Sequence, residues 1–146
     1  RVGETFQVAD RMEMTYSGTI YTGSQLVVSY VPQDTGFLKG TLSDYAEEKK
    51  VDFELLILLL RKLDFSRKQL EKRMEDFSEG QKKKVLLAAS LAAKAHLYIW
   101  DEPLNFIDIL SRIQIEELLL KYKPTLLFVE HDAAFVNKIA TKTVCL

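Results

Sequence analysis

The sequence lacks the features that mark membrane and secreted proteins. Its longest apolar run covers residues 55–60, whereas a membrane-spanning helix needs about 20 apolar residues. The N-terminus carries Glu4 and Asp10 and has no apolar stretch behind a basic start, so no signal peptide is predicted. A single cysteine, Cys145, excludes an internal disulfide and a Cys-based zinc site. These absences favour a reducing cytoplasm and no insertion into a membrane.

The sequence also lacks a strong charge of either sign. Lys and Arg number 20 against 21 Asp and Glu, which gives a formal net charge of -1, so no global positive field attracts nucleic acid or acidic membranes. Of the 146 residues, 47% are hydrophobic and 28% are charged, which predicts a globular domain with a single core. Because the chain opens without methionine and stops on a predicted strand near residue 143, we expect a fragment of a longer protein.

Strand and helix patterns alternate along the chain. An apolar, β-branched strand is predicted over residues 26–31, and a short strand after a turn over 16–20. Helical patterns follow over residues 41–74, with Ser43 or Asp52 as N-caps, and over 78–94. Strands at 96–100, 124–129 and near 143 then alternate with helices at 109–121 and after Asp132. This order predicts an α/β fold with a parallel sheet and an inserted helical subdomain.

Polar residues follow three of the predicted strands. The strands end at Gln33, at Asp101 and Glu102, and at residues 130–132, which include His131. Ligands of open parallel sheets lie beyond the carboxyl ends of the strands. The sequence therefore predicts that an amide, carboxylates and an imidazole gather at one rim.

Two interpretations apply to the start of the helix at residue 78. Ser78 and Gln81 have the spacing of a capping box. The same helix terminus offers free N–H groups and the positive end of the helix dipole to an anion, and Gly80 allows a phosphate to approach the backbone. Taken alone, the pattern favours the cap.

The carboxylates and the histidine also have two interpretations. Asp101 and Glu102 are able to divide labour, one holding Mg²⁺ and the other accepting a proton from an attacking water, or they form only an acidic loop. His131 polarises a phosphate oxygen or is a solvated loop residue. For Gln33 and for Lys82, Lys83 and Lys84, a polar loop and a solvated helix face are the default interpretations.

The ordered combination of these segments carries a family resemblance. The segments are Pro32-Gln33, Phe77-Ser78-Glu79-Gly80-Gln81-Lys82-Lys83-Lys84-Val85, Leu97-Tyr98-Ile99-Trp100-Asp101-Glu102-Pro103, Asn105-Phe106-Ile107-Asp108 and Glu130-His131-Asp132. Together they resemble an ABC ATPase domain, a P-loop NTPase, from its Q-loop to its H-loop. The residues of these segments are most similar to those of the second nucleotide-binding domain of ABC-F proteins, in the branch that confers antibiotic resistance by ribosome protection.

The resemblance implies roles for individual residues. Gln33 would be the Q-loop glutamine that senses Mg²⁺ and the attacking water, Asp101 the Walker B metal ligand and Glu102 the catalytic base. His131 would contact the γ-phosphate of ATP. The signature loop, which in this family binds the ATP held by the opposite domain, would contain Ser78, Glu79, Gly80 and Gln81. The D-loop, which couples the two sites, would run from Asn105 to Asp108.

The chain departs from the family pattern in several places. Phe77 and Glu79 replace residues of the commonest signature, Leu-Ser-Gly-Gly-Gln, and the charge of Glu79 predicts slower closure or hydrolysis. Trp100 replaces a small aliphatic residue before Asp101 and is expected to pack in the core. The pattern Gly-x-x-x-x-Gly-Lys-Ser/Thr, which cradles phosphates, is missing from the sequence. We therefore expect little ATP turnover from this chain alone.

These expectations define an organisation and a set of rival functions. Residues 1–32 would be a remnant of an N-terminal β region, 33–94 the Q-loop and helical subdomain, and 95–146 the part with Walker B, D-loop and H-loop. The first function is a cytoplasmic ABC-F ATPase that uses ATP and Mg²⁺, pairs with a second ABC domain and acts on the ribosome. The alternatives are the ATPase subunit of a membrane transporter, docked on a permease, and a non-catalytic interaction module.

Overall fold

The computed structural model describes residues 4–7, 13–16 and 25–143. A short antiparallel pair is formed by β1 (Glu4–Gln7) and β2 (Glu13–Tyr16). The remaining strands are β3 (Val28–Val31), β4 (Leu97–Asp101) and β5 (Leu126–Val129). The α-helices are α1 (Leu42–Lys49), α2 (Phe53–Lys62), α3 (Arg67–Leu70), α4 (Glu79–Ala92), α5 (Ile109–Tyr122) and α6 (Ala133–Ile139).

The second sheet has the strand order β3-β4-β5, and both pairs are parallel. Its register aligns Val31 with Trp100 and Trp100 with Phe128. All three strands therefore end at the same edge, as the alternating pattern predicts. The mixed α/β architecture with a parallel sheet confirms the predicted fold class.

The helices between β3 and β4 form a cluster against α4. Leu56 and Leu60 of α2 are fully buried, as is Leu87 of α4. The cap of α2 is Asp52, as predicted, because its side chain accepts a hydrogen bond from the N–H of Glu54. Ser43, the alternative N-cap, lies inside α1 and does not cap a helix. Thr41 has the extended backbone of an N-cap, and its side chain accepts from the N–H of Asp44.

A buried hydrogen-bond chain joins α4 to the sheet. Trp100 has no exposed surface, and its Nε1 donates to Ser90 Oγ of α4 at 2.9 Å. Ser90 Oγ in turn lies 2.8 Å from Ser29 Oγ of β3. The large apolar ring packs in the core while its N–H is satisfied. The expectation that Trp100 packs is therefore confirmed.

Some predicted features fall outside the described residues. Most of the turn at residues 16–20, the final strand beyond residue 143 and Cys145 lie there. Within the part of the chain that the structure describes, no helix has the length and apolar character needed to cross a membrane.

Candidate functional site

The first pair of predicted site residues meets where β3 and β4 end. Gln33 Nε2 donates to Asp101 Oδ1 at 3.1 Å. Parallel pairing of the two strands brings these ends together, because Val31 and Trp100 are register partners. Tyr30 lies beside the same carboxylate, and its pKa is raised by partial burial and by the negative charge of Asp101. The rim is therefore an electronegative site with an amide in contact with a carboxylate.

Glu102 follows β4 in a left-handed backbone conformation with a φ of 46°. Its N–H donates to Val129 O of β5 at 2.9 Å, which holds this uncommon conformation. Its Oε2 accepts from Asn105 Nδ2 at 2.8 Å, and its Oε1 lies 3.3 Å from His131 Nε2. The carboxylate of Glu102 is thus held between an amide from the following loop and an imidazole from the end of β5.

Glu130 is a rim residue without a role predicted from the sequence. Its Oε1 accepts from the N–H of His131 at 2.9 Å, and its Oε2 accepts from the N–H of Leu104 at 3.1 Å. One carboxylate therefore ties the loop after β5 to the loop after β4. The signal in the sequence was an acidic residue directly after an apolar strand, but its partners are set by the tertiary fold.

Asp132 fixes the other side of the His131 loop. It caps α6 by accepting from the N–H of Phe135 at 3.0 Å, and it contacts the Arg112 guanidinium of α5. The Phe135 N–H and the Arg112 charge lower the pKa of Asp132. His131 therefore projects from a loop held at both ends, and its side chain is 82% exposed.

Ser78 and Gln81 form the predicted capping box at the start of α4. Ser78 Oγ accepts from the N–H of Gln81 at 3.2 Å, and Gln81 Oε1 accepts from the N–H of Ser78 at 3.0 Å. The cap is confirmed. It uses the Ser78 oxygen as an acceptor, which leaves the hydroxyl proton available as a donor.

Glu79 and Gly80 join the start of α4 to two different loops. Glu79 Oε2 accepts from the hydroxyl of the buried Thr35 at 2.5 Å, and its Oε1 lies 3.9 Å from Lys82 Nζ. A Cβ atom on Gly80 would lie 2.6 Å from the carbonyl oxygen of Phe106. Gly80 is therefore needed for the close approach of the loop that contains Asn105 and Asp108.

The solvated helix face predicted for the three lysines is wrong, since even the Lys82 side chain is only 13% exposed. Lys83 has no exposed surface, and Lys84 is 8% exposed. Lys83 Nζ donates to Pro32 O at 3.0 Å and to Gln33 O at 3.3 Å, and burial lowers its pKa. Lys84 Nζ lies 3.3 Å from Asp108 Oδ2. Both ammonium groups contact loops at the rim, and little of either side chain faces solvent.

Asp108 completes the loop that began at Asn105. It caps α5 by accepting from the N–H of Ser111 at 2.8 Å and from its hydroxyl at 2.9 Å. These bonds and the charge of Lys84 lower the pKa of Asp108 to about 2. Asp108 is therefore a structural anchor of the loop as well as a predicted binding residue.

The donor set fits one way of holding Mg²⁺. In the described part of the chain, no group of three or more His, Cys, Asp or Glu side chains is arranged to hold a metal. Mg²⁺ is usually held by one or two carboxylates together with substrate phosphates and water. Asp101, with Gln33 in contact with it, supplies oxygen ligands of that kind but not a complete protein cage.

The parallel sheet, the rim at its carboxyl edge and the capped helix beside it define a P-loop NTPase-like α/β domain. The family model described as "ABC transporter" matches residues 7–105. The chain therefore belongs to the ABC transporter family, a family of ATP-hydrolysing domains.

Individual relatives agree with this assignment. YdiF of Bacillus subtilis (strain 168) is 34% identical over 131 residues, which cover 87% of this chain and 20% of YdiF. The ATP-binding protein Uup of Buchnera aphidicola is 31% identical over 133 residues, 86% of this chain and 22% of Uup. The chain thus spans about a fifth of the length of these curated relatives.

A solved structure supports the same fold. The complex of the archaeal ribosomal stalk protein aP1 with the archaeal ribosome recycling factor aABCE1 contains a chain that is 26% identical, with a TM-score of 0.67. The match covers 88% of this chain and 26% of that chain.

Proposed function

We propose that this chain supplies the catalytic carboxylate and the signature helix of an ATP-hydrolysing domain. The single observation that carries the proposal is the setting of Glu102, whose two oxygens face Asn105 and His131. A carboxylate held by groups from two loops is a suitable general base for an attacking water. Asp101 and Gln33 would hold Mg²⁺, which neutralises phosphate charge when bound. His131, exposed beside Glu102, would contact the γ-phosphate.

The signature helix would act on ATP bound by a second ABC domain. Ser78 retains a donor proton, and the first-turn N–H groups of α4 and the helix dipole attract anions. This nucleotide-binding surface would also include Glu79, Gly80 and Gln81 of α4, together with Asn105 and Asp108 of the loop after β4. Domains of this family function as dimers, and relatives about five times longer than the matched stretch have room for two of them.

Within the family, we place the chain with ABC-F proteins that act on the ribosome in antibiotic resistance, in the cytoplasm. The support is its similarity to Uup and to a ribosome recycling factor. The division into residues 1–32, 33–94 and 95–146 belongs to the same proposal. The ATPase subunit of a membrane transporter, with a permease as partner, is the second candidate, favoured by the description of the family model as an ABC transporter.

Glu102→Gln in the full-length protein tests the catalytic part. The amide keeps the shape but cannot take the proton, so we expect ATP binding to persist while hydrolysis falls on the order of 100-fold or more. Glu48→Gln, on the exposed surface of α1, is the matched control. Hydrolysis at the wild-type rate by Glu102→Gln would show that Glu102 is not the base.

The same variant separates the two partners. A trapped ATP-bound form that sediments with ribosomes supports the ABC-F assignment. Co-purification with a membrane permease, without ribosome binding, supports the transporter.

A further inference from the structure

Lys83 is a buried cation that touches the chain at the start of the Q-loop. It has no exposed surface, and its Nζ donates to the carbonyl oxygens of Pro32 and Gln33 at 3.0 and 3.3 Å. These two carbonyls directly follow β3, which ends at Val31. A helix side chain therefore holds the backbone at the point where the sheet delivers Gln33 to the rim.

Burying an ammonium group is unfavourable unless its donors find strong acceptors. Apolar residues would pack α4 against the sheet at lower cost, and replacing buried charges by hydrophobic residues is often neutral or stabilising. Packing alone therefore does not explain a lysine at position 83. What the ammonium provides is a directional pair of hydrogen bonds to two consecutive carbonyls.

One of the two held carbonyls belongs to the same residue as the functional amide. Gln33 O accepts from Lys83, while Gln33 Nε2 donates to Asp101 Oδ1 at 3.1 Å. Fixing both ends of Gln33 limits the positions its amide can take relative to the carboxylate. Without the lysine, the backbone at Gln33 is free to rotate and the amide loses its fixed distance to Asp101.

We propose that Lys83 is a positioning residue, which holds the Q-loop backbone so that the Gln33 amide stays on Asp101. This inference rests on the proposed ATPase function. It assigns to the second lysine of the Lys82-Lys83-Lys84 run a role that depends on Gln33 and does not require contact with nucleotide.

The test uses the full-length protein with Lys83→Met, which keeps an unbranched side chain of similar length and removes the donors. We expect kcat to fall on the order of 10- to 100-fold, the range for a misplaced catalytic group, while KM for ATP changes less than twofold. Lys83→Arg, which retains donors and charge, should recover part of the loss. Lys94→Met, on the exposed residue just past α4, is the matched control and should leave kcat unchanged.

A double-mutant cycle isolates the dependence on Gln33. In a Gln33→Ala background, Lys83→Met should produce no further fall in kcat, because the group that it positions is gone. Additive losses, or an unchanged kcat in Lys83→Met, would overturn the proposal. A loss that thermal melting shows to be unfolding, and that Lys83→Arg does not rescue, would also overturn it.

Hydrogen exchange separates this inference from the proposed function. Lys83→Met should speed amide exchange of the segment over residues 33–38 in the nucleotide-free protein, with no comparable change in Lys94→Met. Absence of ATP hydrolysis by the wild-type protein would overturn the proposed function. Unchanged amide exchange in Lys83→Met would overturn the anchoring by Lys83, whatever the ATPase result.

Discussion

Gly80→Ala tests the contact between the start of α4 and the loop that carries Asn105. The new Cβ would lie 2.6 Å from the Phe106 carbonyl oxygen, whereas an ordinary contact begins near 3.4 Å. The shortfall is about 0.8 Å, and it falls on backbone rather than on a flexible side chain. Forced overpacking of this kind costs about 1–3 kcal/mol.

The helix recovers part of that cost. Alanine is favoured over glycine by up to about 1 kcal/mol in a helix interior, and less than this in the first turn, where Gly80 lies. We therefore expect a net loss of about 1–2 kcal/mol in the free energy of unfolding. Moving the loop would also draw the Asn105 amide from Glu102, now 2.8 Å away, and lower hydrolysis on the order of 10²-fold.

Gly36→Ala is the matched control. Its new Cβ would meet only the flexible side chain of Asp34, at 3.4 Å. Because alanine has less backbone freedom than glycine in the unfolded chain, this substitution should be neutral or should stabilise the fold by up to about 1 kcal/mol. Thermal melting and steady-state ATP hydrolysis of both full-length variants decide the matter. Gly80→Ala that melts at or above the wild-type temperature and hydrolyses ATP normally would refute the reasoning.

Three further substitutions examine the start of α4 and the Asp108 anchor. Ser78→Ala should cost about 1 kcal/mol and weaken ATP-dependent crosslinking of the two domains, whereas Glu79→Gly, which removes charge near the expected phosphate, should leave crosslinking equal or stronger. Crosslinking that merely follows melting temperature in both variants would contradict an anion site. Asp108→Asn should lower the free energy of unfolding by about 1 kcal/mol at pH 6. This value is reduced from that implied by the pKa shift because solvent screens a side chain that is 59% exposed. Ser111 and Lys84 lower the folded-state pKa of Asp108 to about 2. The stability difference between wild type and Asp108→Asn should therefore shrink as the pH falls from about 4 to 2. A difference that does not change with pH would show that the negative charge of Asp108 is not its cause.

Local patterns were predictable from the sequence wherever local geometry determines them. The Ser78–Gln81 cap needs only residues three positions apart, and both of its hydrogen bonds are present. The meeting of Gln33 with Asp101 followed from one long-range assumption, that two strands are parallel neighbours. Ser43 failed as a cap because it lies inside α1, whose extended N-cap residue is Thr41; both residue types cap helices, so residue type alone does not locate the cap.

The buried lysines were not predictable in the same way. Three consecutive lysines are typical of a solvated surface, and nothing in the residue types of this run distinguishes Lys83 and Lys84 from Lys82. Their burial follows from the seating of α4 beneath two loops, and those loops come from segments on either side of the helix in the sequence. Likewise, Glu130 follows a strand as many acidic residues do, and its bond to Leu104 N depends on the fold of the next loop.

The contacts of α4 divide into two stripes, and this has a mechanical consequence. Residues 79 and 83, four apart, contact the loop after β3 through Thr35 and the carbonyls of Pro32 and Gln33. Residues 80 and 84, also four apart, contact the loop over residues 105–108 through the Phe106 carbonyl and Asp108. Positions four apart share one face of a helix, and the second stripe is one residue, about 100°, around the axis. Rotation of α4 about its axis would therefore move both the loop that carries Gln33 and the loop that carries Asn105. Because Gln33 contacts Asp101 and Asn105 contacts Glu102, a force on the start of this helix reaches both carboxylates.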